Sequence, residues 1–263
     1  MKIAVSGKGG VGKTTVCAIW SRLFAQDGHK VLAVDADPDS NLASALGLPE
    51  DKVPQPLINM EELIEERTGA KVDSVGQYFR LNPHVADLPD KFSVDVGGLR
   101  LLVVGAIERA GEGCACPQGA FLKALLSYTI LRREEVLLVD LAAGLEFMGR
   151  ASVQGIDALV TVVEPGSRSF STAAAIARMG REMGIGLIAA IANKVADPTQ
   201  VDIIREQLKP VPLLGYLPYS AAMQEADLKG LPVDQADAEI IERLREAKQR
   251  LEKLVASGII TEP

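Results

Sequence analysis

Short apolar runs alternate along the chain with longer segments in which apolar residues recur every three or four positions. The runs 3–5, 31–34 and 158–163 have the length and composition of buried strands, whereas 14–26 and 236–256 have the periodicity of helices packed on one face. Strands that alternate with helices form parallel sheets with a layer of helices on each face. The pattern therefore predicts an α/β fold, with a doubly wound and mostly parallel sheet.

Residues 49–97 interrupt this alternation. They contain a charged helical segment at 59–67 and the pair Gly97-Gly98, which is typical of a hairpin turn. A chain of 263 residues suits one large α/β domain. We therefore expect a single domain over residues 1–263, with 49–97 as an insertion on its main sheet.

The composition restricts the class of partner and the compartment. The net charge of −7 and the pI of about 5.1 disfavour a nonspecific binder of nucleic acid or of anionic membranes. Three cysteines do not form a disulfide framework, which favours a reducing cytoplasm. The first predicted strand begins at the N-terminus and leaves no room for a signal peptide, and no apolar stretch has the length of a membrane span.

Residues 7–14 fit the pattern G-x-x-x-x-G-K-[ST] between a predicted strand and a predicted helix. Glycines let the backbone N–H groups turn toward an anion, and the start of the helix adds its positive end. We expect Lys13 to contact the β- and γ-phosphates of a nucleotide and the Thr14 hydroxyl to ligate Mg²⁺. The predicted phosphate contacts are Gly9, Gly10, Val11, Gly12, Lys13, Thr14 and Thr15.

Acidic residues follow or end two further predicted strands. Asp37 comes shortly after the strand at 31–34, and Asp140 ends the strand at 134–140 in a Walker B pattern, which predicts a Mg²⁺ contact. The carboxyl edge of a parallel sheet is where ligands bind in open α/β folds. Ser40, in the same loop as Asp37, is a candidate N-cap for a short helix.

The segment Asn193-Lys-Val-Ala-Asp197 bears on the choice of base. Guanine-specific proteins use N-K-x-D, but here the fourth position is Ala196 and the acid follows one residue later. We therefore expect ATP and ADP rather than guanine nucleotides, with the Asn193 amide as the group that reads adenine and Asp197 as a loop or capping residue.

Two cysteines, Cys114 and Cys116, stand immediately before Pro117, which suits the first position of a helix. Thiolates are stabilised at a helix N-terminus and become better metal ligands there. Two thiolates do not close a four-coordinate site, but two chains related by a two-fold axis supply four. Tetrahedral thiolate sites favour Zn²⁺ and square-planar sites suit Ni²⁺. A pair of spare thiols and a redox pair are the alternatives.

The segment from Lys8 to Thr14, K-G-G-V-G-K-T, resembles the deviant Walker A motif of the ATPase family that includes MinD, ParA and the nitrogenase iron protein. This resemblance implies a homodimer in which Lys8 reaches the nucleotide of the partner subunit. It also implies that Asp37 orients the attacking water and that Gly144, in a segment similar to switch II, meets the γ-phosphate. Lys8, Lys13 and Asp37 are the catalytic candidates.

Segments 7–14, 35–39, 111–117 and 140–146 together look like the CooC-type nickel-insertion ATPases. The resemblance implies an ATPase that binds nickel between two subunits, at Cys114 and Cys116, and delivers it to carbon monoxide dehydrogenase or acetyl-CoA synthase. The acidic composition, independently of this resemblance, predicts neither a nucleic-acid partner nor a membrane partner.

Three other functions are open on the sequence. An iron–sulfur reductase needs a further cysteine near switch II, and residues 141–160 contain none. A carrier of iron–sulfur clusters usually has C-x-x-C, which is absent, although C-x-C is compatible with a cluster. A spatial organiser of the MinD or ParA type needs a basic or membrane-seeking surface. We rank the nickel chaperone first, the cluster carrier second and the organiser third.

Overall fold

The computed structural model describes residues 1–72, 77–106, 117–132, 135–142 and 155–258. Eight strands form one sheet in the order β3-β4-β2-β5-β1-β6-β7-β8, in which β3 is antiparallel to β4 and all other neighbours are parallel. This arrangement confirms the predicted fold class. The strands are β1 (Lys2–Ser6), β2 (Val31–Ala36), β3 (Val94–Asp95), β4 (Arg100–Val103), β5 (Val136–Leu141), β6 (Ala158–Val163), β7 (Ile188–Val195) and β8 (Leu213–Pro218).

Helices cover both faces of the sheet. The α-helices of the described residues are α1 (Lys13–Gln26), α2 (Leu42–Ala45), α3 (Glu61–Thr68), α4 (Leu88–Phe92), α5 (Pro117–Arg132), α6 (Ser167–Met183), α7 (Gln200–Leu208), α8 (Ala221–Leu228) and α9 (Ala238–Ala256). Short 3₁₀ helices lie at Glu50–Lys52, Leu57–Asn59 and Val233–Gln235. None of the helices in these described ranges is both long enough and apolar enough to cross a bilayer.

Two apolar cores lie on opposite faces of the sheet because alternate strand residues point to opposite sides. On one face α1 and α9 pack together, and the Trp20 indole N–H donates a hydrogen bond of 2.9 Å to the Leu244 carbonyl. On the other face α5, α6 and α7 bury Phe121, Ile176 and Ile204. The central strands are buried on both faces, which explains why their sequences are continuous apolar runs.

The segment 49–97 contains α3, α4 and two of the short 3₁₀ helices, and it ends in β3. The turn at Gly97-Gly98 joins β3 to β4, as predicted, and both glycines have positive φ. The segment therefore supplies the antiparallel edge strand of the main sheet.

The prediction that Ser40 caps the short helix α2 is wrong. Asn41 is the N-cap residue of α2, and no side chain caps the helix locally. The buried Asp35 carboxylate instead accepts a hydrogen bond of 3.0 Å from the Leu42 N–H. A carboxylate from the neighbouring strand thus replaces the expected hydroxyl.

Candidate functional site

The predicted phosphate-binding loop runs from the end of β1 to the start of α1 and packs against the ends of β6 and β7. A Cβ atom at Gly7 would lie 2.5 Å from the Val162 carbonyl oxygen, and one at Gly12 would lie 2.3 Å from the Asn193 amide nitrogen. Gly12 also has a φ of +96°, in the left-handed region. Both positions therefore require glycine for space, and Gly12 requires it for conformation as well.

Lys13 begins α1 and its side chain is buried beneath the loop. Its Nζ atom lies 3.4 Å from Asp37 Oδ2, in an ion pair whose two side chains are only 8% and 14% exposed. The fold thus brings together the cation predicted to bind phosphate and the acid predicted to orient water, although 24 positions separate them in the sequence.

Two further carboxylates, Asp35 and Asp140, lie side by side on β2 and β5, because the parallel register pairs these residues directly. Both are fully buried. Burial raises the pKa of Asp35 to about 6. Burial and then the charge of Asp35 raise the pKa of Asp140 to about 7, with Thr14 and Lys13 partly offsetting the rise. The cost of burying both charges identifies this pair as the electrostatic centre of the site.

The two buried acids differ in their hydrogen bonds. Asp35 accepts bonds from the N–H groups of Asp37, at 3.2 Å, and Leu42, at 3.0 Å, and so holds the loop after β2 in place. Neither carboxylate oxygen of Asp140 has a hydrogen-bond partner of normal geometry among the described residues. A buried carboxylate without a donor of normal geometry is suited to a cation.

These residues fit Mg²⁺. The ion takes one or two carboxylates, hydroxyls and phosphate oxygens as ligands, and it lowers the cost of burying neighbouring acids. Asp140 and Thr14 are the residues that would hold it, with Asp35 behind them. No sequence motif assigned a role to Asp35, whose place beside Asp140 follows from the register of β2 and β5.

Asn193 and Lys194 tie the end of β7 to the phosphate loop. The Asn193 amide nitrogen donates to the Val11 carbonyl at 2.8 Å, and Lys194 Nζ donates to the Gly10 carbonyl at 2.6 Å. The Asn193 amide oxygen accepts a bond of 2.8 Å from the Lys194 N–H. These bonds use one amide hydrogen of Asn193 and leave the other without a partner among them. The predicted contact between the Asn193 amide and adenine stays a prediction. Asp197 accepts from the Thr199 N–H and is a loop residue, as expected.

Lys8 lies on the outer side of the loop, with 42% of its side chain exposed. Its Nζ atom is 4.0 Å from one carboxylate oxygen of Glu164, and Lys194 Nζ is 3.8 Å from the other. No sequence motif pointed to Glu164 or Lys194 as contacts of the loop, because both contacts depend on how β6 and β7 end beside it.

Three predicted site residues, Cys114, Cys116 and Gly144, lie outside the described residues. The helix predicted after the cysteines does begin at Pro117, as α5. Gly9, Gly10 and Thr15 lie in the loop and the first turn of α1, as the motif requires.

Comparison with known proteins agrees with this geometry. The family model described as the CobQ/CobB/MinD/ParA nucleotide binding domain matches residues 2–233. The carbon monoxide dehydrogenase accessory protein CooC of Rhodospirillum rubrum is 46% identical over 233 residues, which cover 88% of each chain. The fold is shared by MinD of Aquifex aeolicus in its complex with MinC (TM-score 0.68, 21% identity, 96% of each chain).

MinD of Pyrococcus horikoshii, solved with Mg-ADP, has the same fold at a TM-score of 0.65, with 19% identity and 98% of each chain covered. The family model and the similarity to CooC each extend over most of the chain. The chain therefore belongs to the CobQ/CobB/MinD/ParA family of nucleotide-binding proteins, as a CooC-like member.

Proposed function

We propose that this protein is an ATP-hydrolysing nickel chaperone that binds nickel between two subunits and delivers it to carbon monoxide dehydrogenase or acetyl-CoA synthase. The observation that carries the proposal is the 46% identity to a carbon monoxide dehydrogenase accessory protein over 88% of both chains. It is supported by a built nucleotide site, in which Lys13, Asp37 and Asp140 lie around one phosphate loop.

In the proposed ATPase, the chain contributes position and charge, which supply most of the rate in phosphoryl transfer. Lys13 leaves Asp37 and neutralises charge on the β- and γ-phosphates, while the backbone N–H groups of residues 9–15 orient them. Asp37, freed from Lys13, accepts a hydrogen bond from the attacking water. Asp140 and Thr14 would hold Mg²⁺, which would supply further neutralisation of phosphate charge. Gly144 is proposed to contact the γ-phosphate.

Coupling of the nucleotide to nickel is proposed to occur through a dimer. Lys8 would contact the nucleotide of the partner subunit, because Lys13 already serves the loop of its own subunit. Cys114 and Cys116 of both subunits would then bind nickel as cargo, with Zn²⁺ as a competing ion. Dimerisation must strengthen nickel binding by the same factor by which nickel strengthens the dimer, so a nucleotide that favours the dimer would also strengthen nickel binding. Hydrolysis would release nickel to the client enzyme.

The test is titration of Ni²⁺ into the reduced full chain, with and without a non-hydrolysable ATP analogue and Mg²⁺. We expect one ion per dimer, tighter with the analogue, and an absorption band from thiolate to nickel. Cys114→Ala/Cys116→Ala should lose the ion and still bind ATP. Cys17→Ala is the matched control, since Cys17 is buried in α1 and should not contribute.

Two results would contradict the nickel proposal. One ion per monomer without a dimer would exclude a site shared by two subunits. Purified protein that carries iron and sulfide in place of nickel or zinc would favour the cluster carrier instead.

A further inference from the structure

Glu164 lies between two lysines at the outer side of the phosphate loop. It follows β6 directly, and its backbone N–H donates a bond of 3.1 Å to the hydroxyl of Ser169, which is buried in the first turn of α6. Its carboxylate oxygens lie 4.0 Å from Lys8 Nζ and 3.8 Å from Lys194 Nζ. The Glu164 carboxylate therefore pairs with one lysine of the loop and with one lysine of β7, from a backbone that Ser169 anchors.

The two lysines are held to different degrees. Lys194 also donates to the Gly10 carbonyl, and its backbone is fixed in the left-handed region, at a φ of +56°. Glu164 is the acidic partner that the described residues give Lys8. A Cβ atom at Gly9 or Gly10, the two glycines after Lys8, would meet no atom of the described residues within 4 Å, so the side-chain positions next to Lys8 are open. Among the residues that the structure describes, the Lys194 side chain has a second partner in the Gly10 carbonyl, whereas the Lys8 side chain pairs with Glu164 alone.

We propose that Glu164 is a positioning residue that retains Lys8 beside the phosphate loop of its own subunit until the nucleotide-bound dimer forms. The role rests on the proposed function, in which Lys8 moves to the nucleotide of the partner subunit. When Lys8 leaves, Glu164 keeps its ion pair with Lys194, so the Glu164 carboxylate still has a cationic partner. A half-exposed ion pair is weak, and the polyphosphate of the partner's nucleotide overcomes it.

A zero-length carbodiimide cross-link measures the retention directly, because it joins amines and carboxylates that are already in contact. In the nucleotide-free protein we expect both Lys8–Glu164 and Lys194–Glu164 products in the mass spectrum. With a non-hydrolysable ATP analogue and Mg²⁺ the ratio of the first product to the second should fall several-fold. The Lys194–Glu164 product is the internal reference.

A second experiment measures how the Lys8–Glu164 pair affects the affinity of the dimer. Each dimer breaks two such pairs, so Glu164→Gln should tighten the analogue-bound dimer by about 2- to 20-fold in sedimentation equilibrium. In a Lys8→Ala background the same substitution should change nothing, because no lysine is left to retain. Glu206→Gln is the charge-matched control, since Glu206 is exposed on α7 and pairs only with Lys209 in the described structure.

The outcomes separate this role from the proposed function. A wild-type dimer that Lys8→Ala weakens, combined with an unchanged cross-link ratio or an unchanged affinity in Glu164→Gln, would overturn the role of Glu164 alone. An equal effect of Glu164→Gln with and without Lys8 would also overturn it. A wild-type chain that stays monomeric with the analogue would overturn the proposed function and this role together.

Discussion

At the scale of single residues, the Lys13–Asp37 ion pair joins the two side chains on which the proposed hydrolysis depends. Each occupies the other at 3.4 Å, and both are nearly buried. In the proposed mechanism phosphate competes with Asp37 for Lys13, so binding of ATP and release of the Asp37 carboxylate are one event. In the protein without nucleotide, the carboxylate proposed to orient the attacking water is therefore held in an ion pair.

This coupling predicts different effects for two aspartates of one loop. Asp37→Ala should bind ATP at least as tightly as wild type, because Lys13 is freed, and should lose turnover by about 10²-fold or more, because the water loses its acceptor. Asp39→Ala is the control, since Asp39 is exposed and contributes only a backbone bond to Asp37. Nucleotide titration and phosphate release measure the two quantities. Turnover of Asp37→Ala equal to wild type would remove Asp37 from the mechanism.

The sequence predicted the residues whose chemistry belongs to a local motif, namely Lys13, Thr14 and Asp140. It did not predict the roles of Asp35, Glu164 and Lys194. Asp35 acts through its register with Asp140, and Glu164 acts through the spacing of β6 and β7 beside the loop. Such contacts depend on strand order, and a strand's position in the sheet is not encoded in its own residues.

At the scale of elements, Arg22 joins four segments behind the site. Its guanidinium donates to the carbonyls of Val96 and Gly97, at 2.5 and 3.0 Å, and of Leu46, at 2.9 Å. It also lies 3.6 Å from Asp234 Oδ2, in the 3₁₀ helix before α9. One side chain of α1 thus fixes the β3–β4 turn and the end of α2. The loop that contains Asp37 directly precedes α2.

Removal of these bonds should destabilise the fold substantially. Arg22→Met keeps the apolar stem but leaves three carbonyls without their donor and the partly buried Asp234 carboxylate without its cation, at a cost of about 2–4 kcal/mol. Arg205→Met, whose guanidinium pairs with the exposed Asp202 one turn away, should cost less than about 0.5 kcal/mol. Urea unfolding monitored by circular dichroism compares the two. Equal midpoints for the two variants would show that the Arg22 bonds contribute nothing net.

Element types were predictable where the apolar pattern is long, as in α9 and β6. The cap of α2 was not predictable, because the Leu42 N–H at the start of this helix donates to the Asp35 carboxylate of β2. The β3–β4 hairpin was predictable despite the two-residue length of β3, because Gly97-Gly98 marks its turn. Short elements carry little pattern of their own, and tertiary partners determine them.

At the scale of the whole molecule, the site lowers the stability of the fold that holds it. Asp35 and Asp140 have pKa values of about 6 and about 7, well above those of aspartates in an unfolded chain. Between the unfolded and folded pKa values the folded state binds more protons, so the stabilisation present at low pH is lost as pH rises. A bound cation would reverse this loss, which links stability to magnesium and nucleotide.

In magnesium-free, nucleotide-free protein, the free energy of unfolding should therefore decline between about pH 4 and pH 7 through these two groups. Asp140→Asn imitates the protonated acid, so it should remove part of the decline and raise stability at pH 8 by about 2 kcal/mol. Asp202→Asn, a neutralisation on the exposed face of α7, should leave the slope of stability against pH unchanged.

Mg-ADP should then stabilise wild type more than Asp140→Asn, because the variant lacks the carboxylate that attracts the ion. Urea titrations across this pH range measure all three proteins, and a slope in Asp140→Asn equal to that of wild type would show that Asp140 does not carry the buried charge.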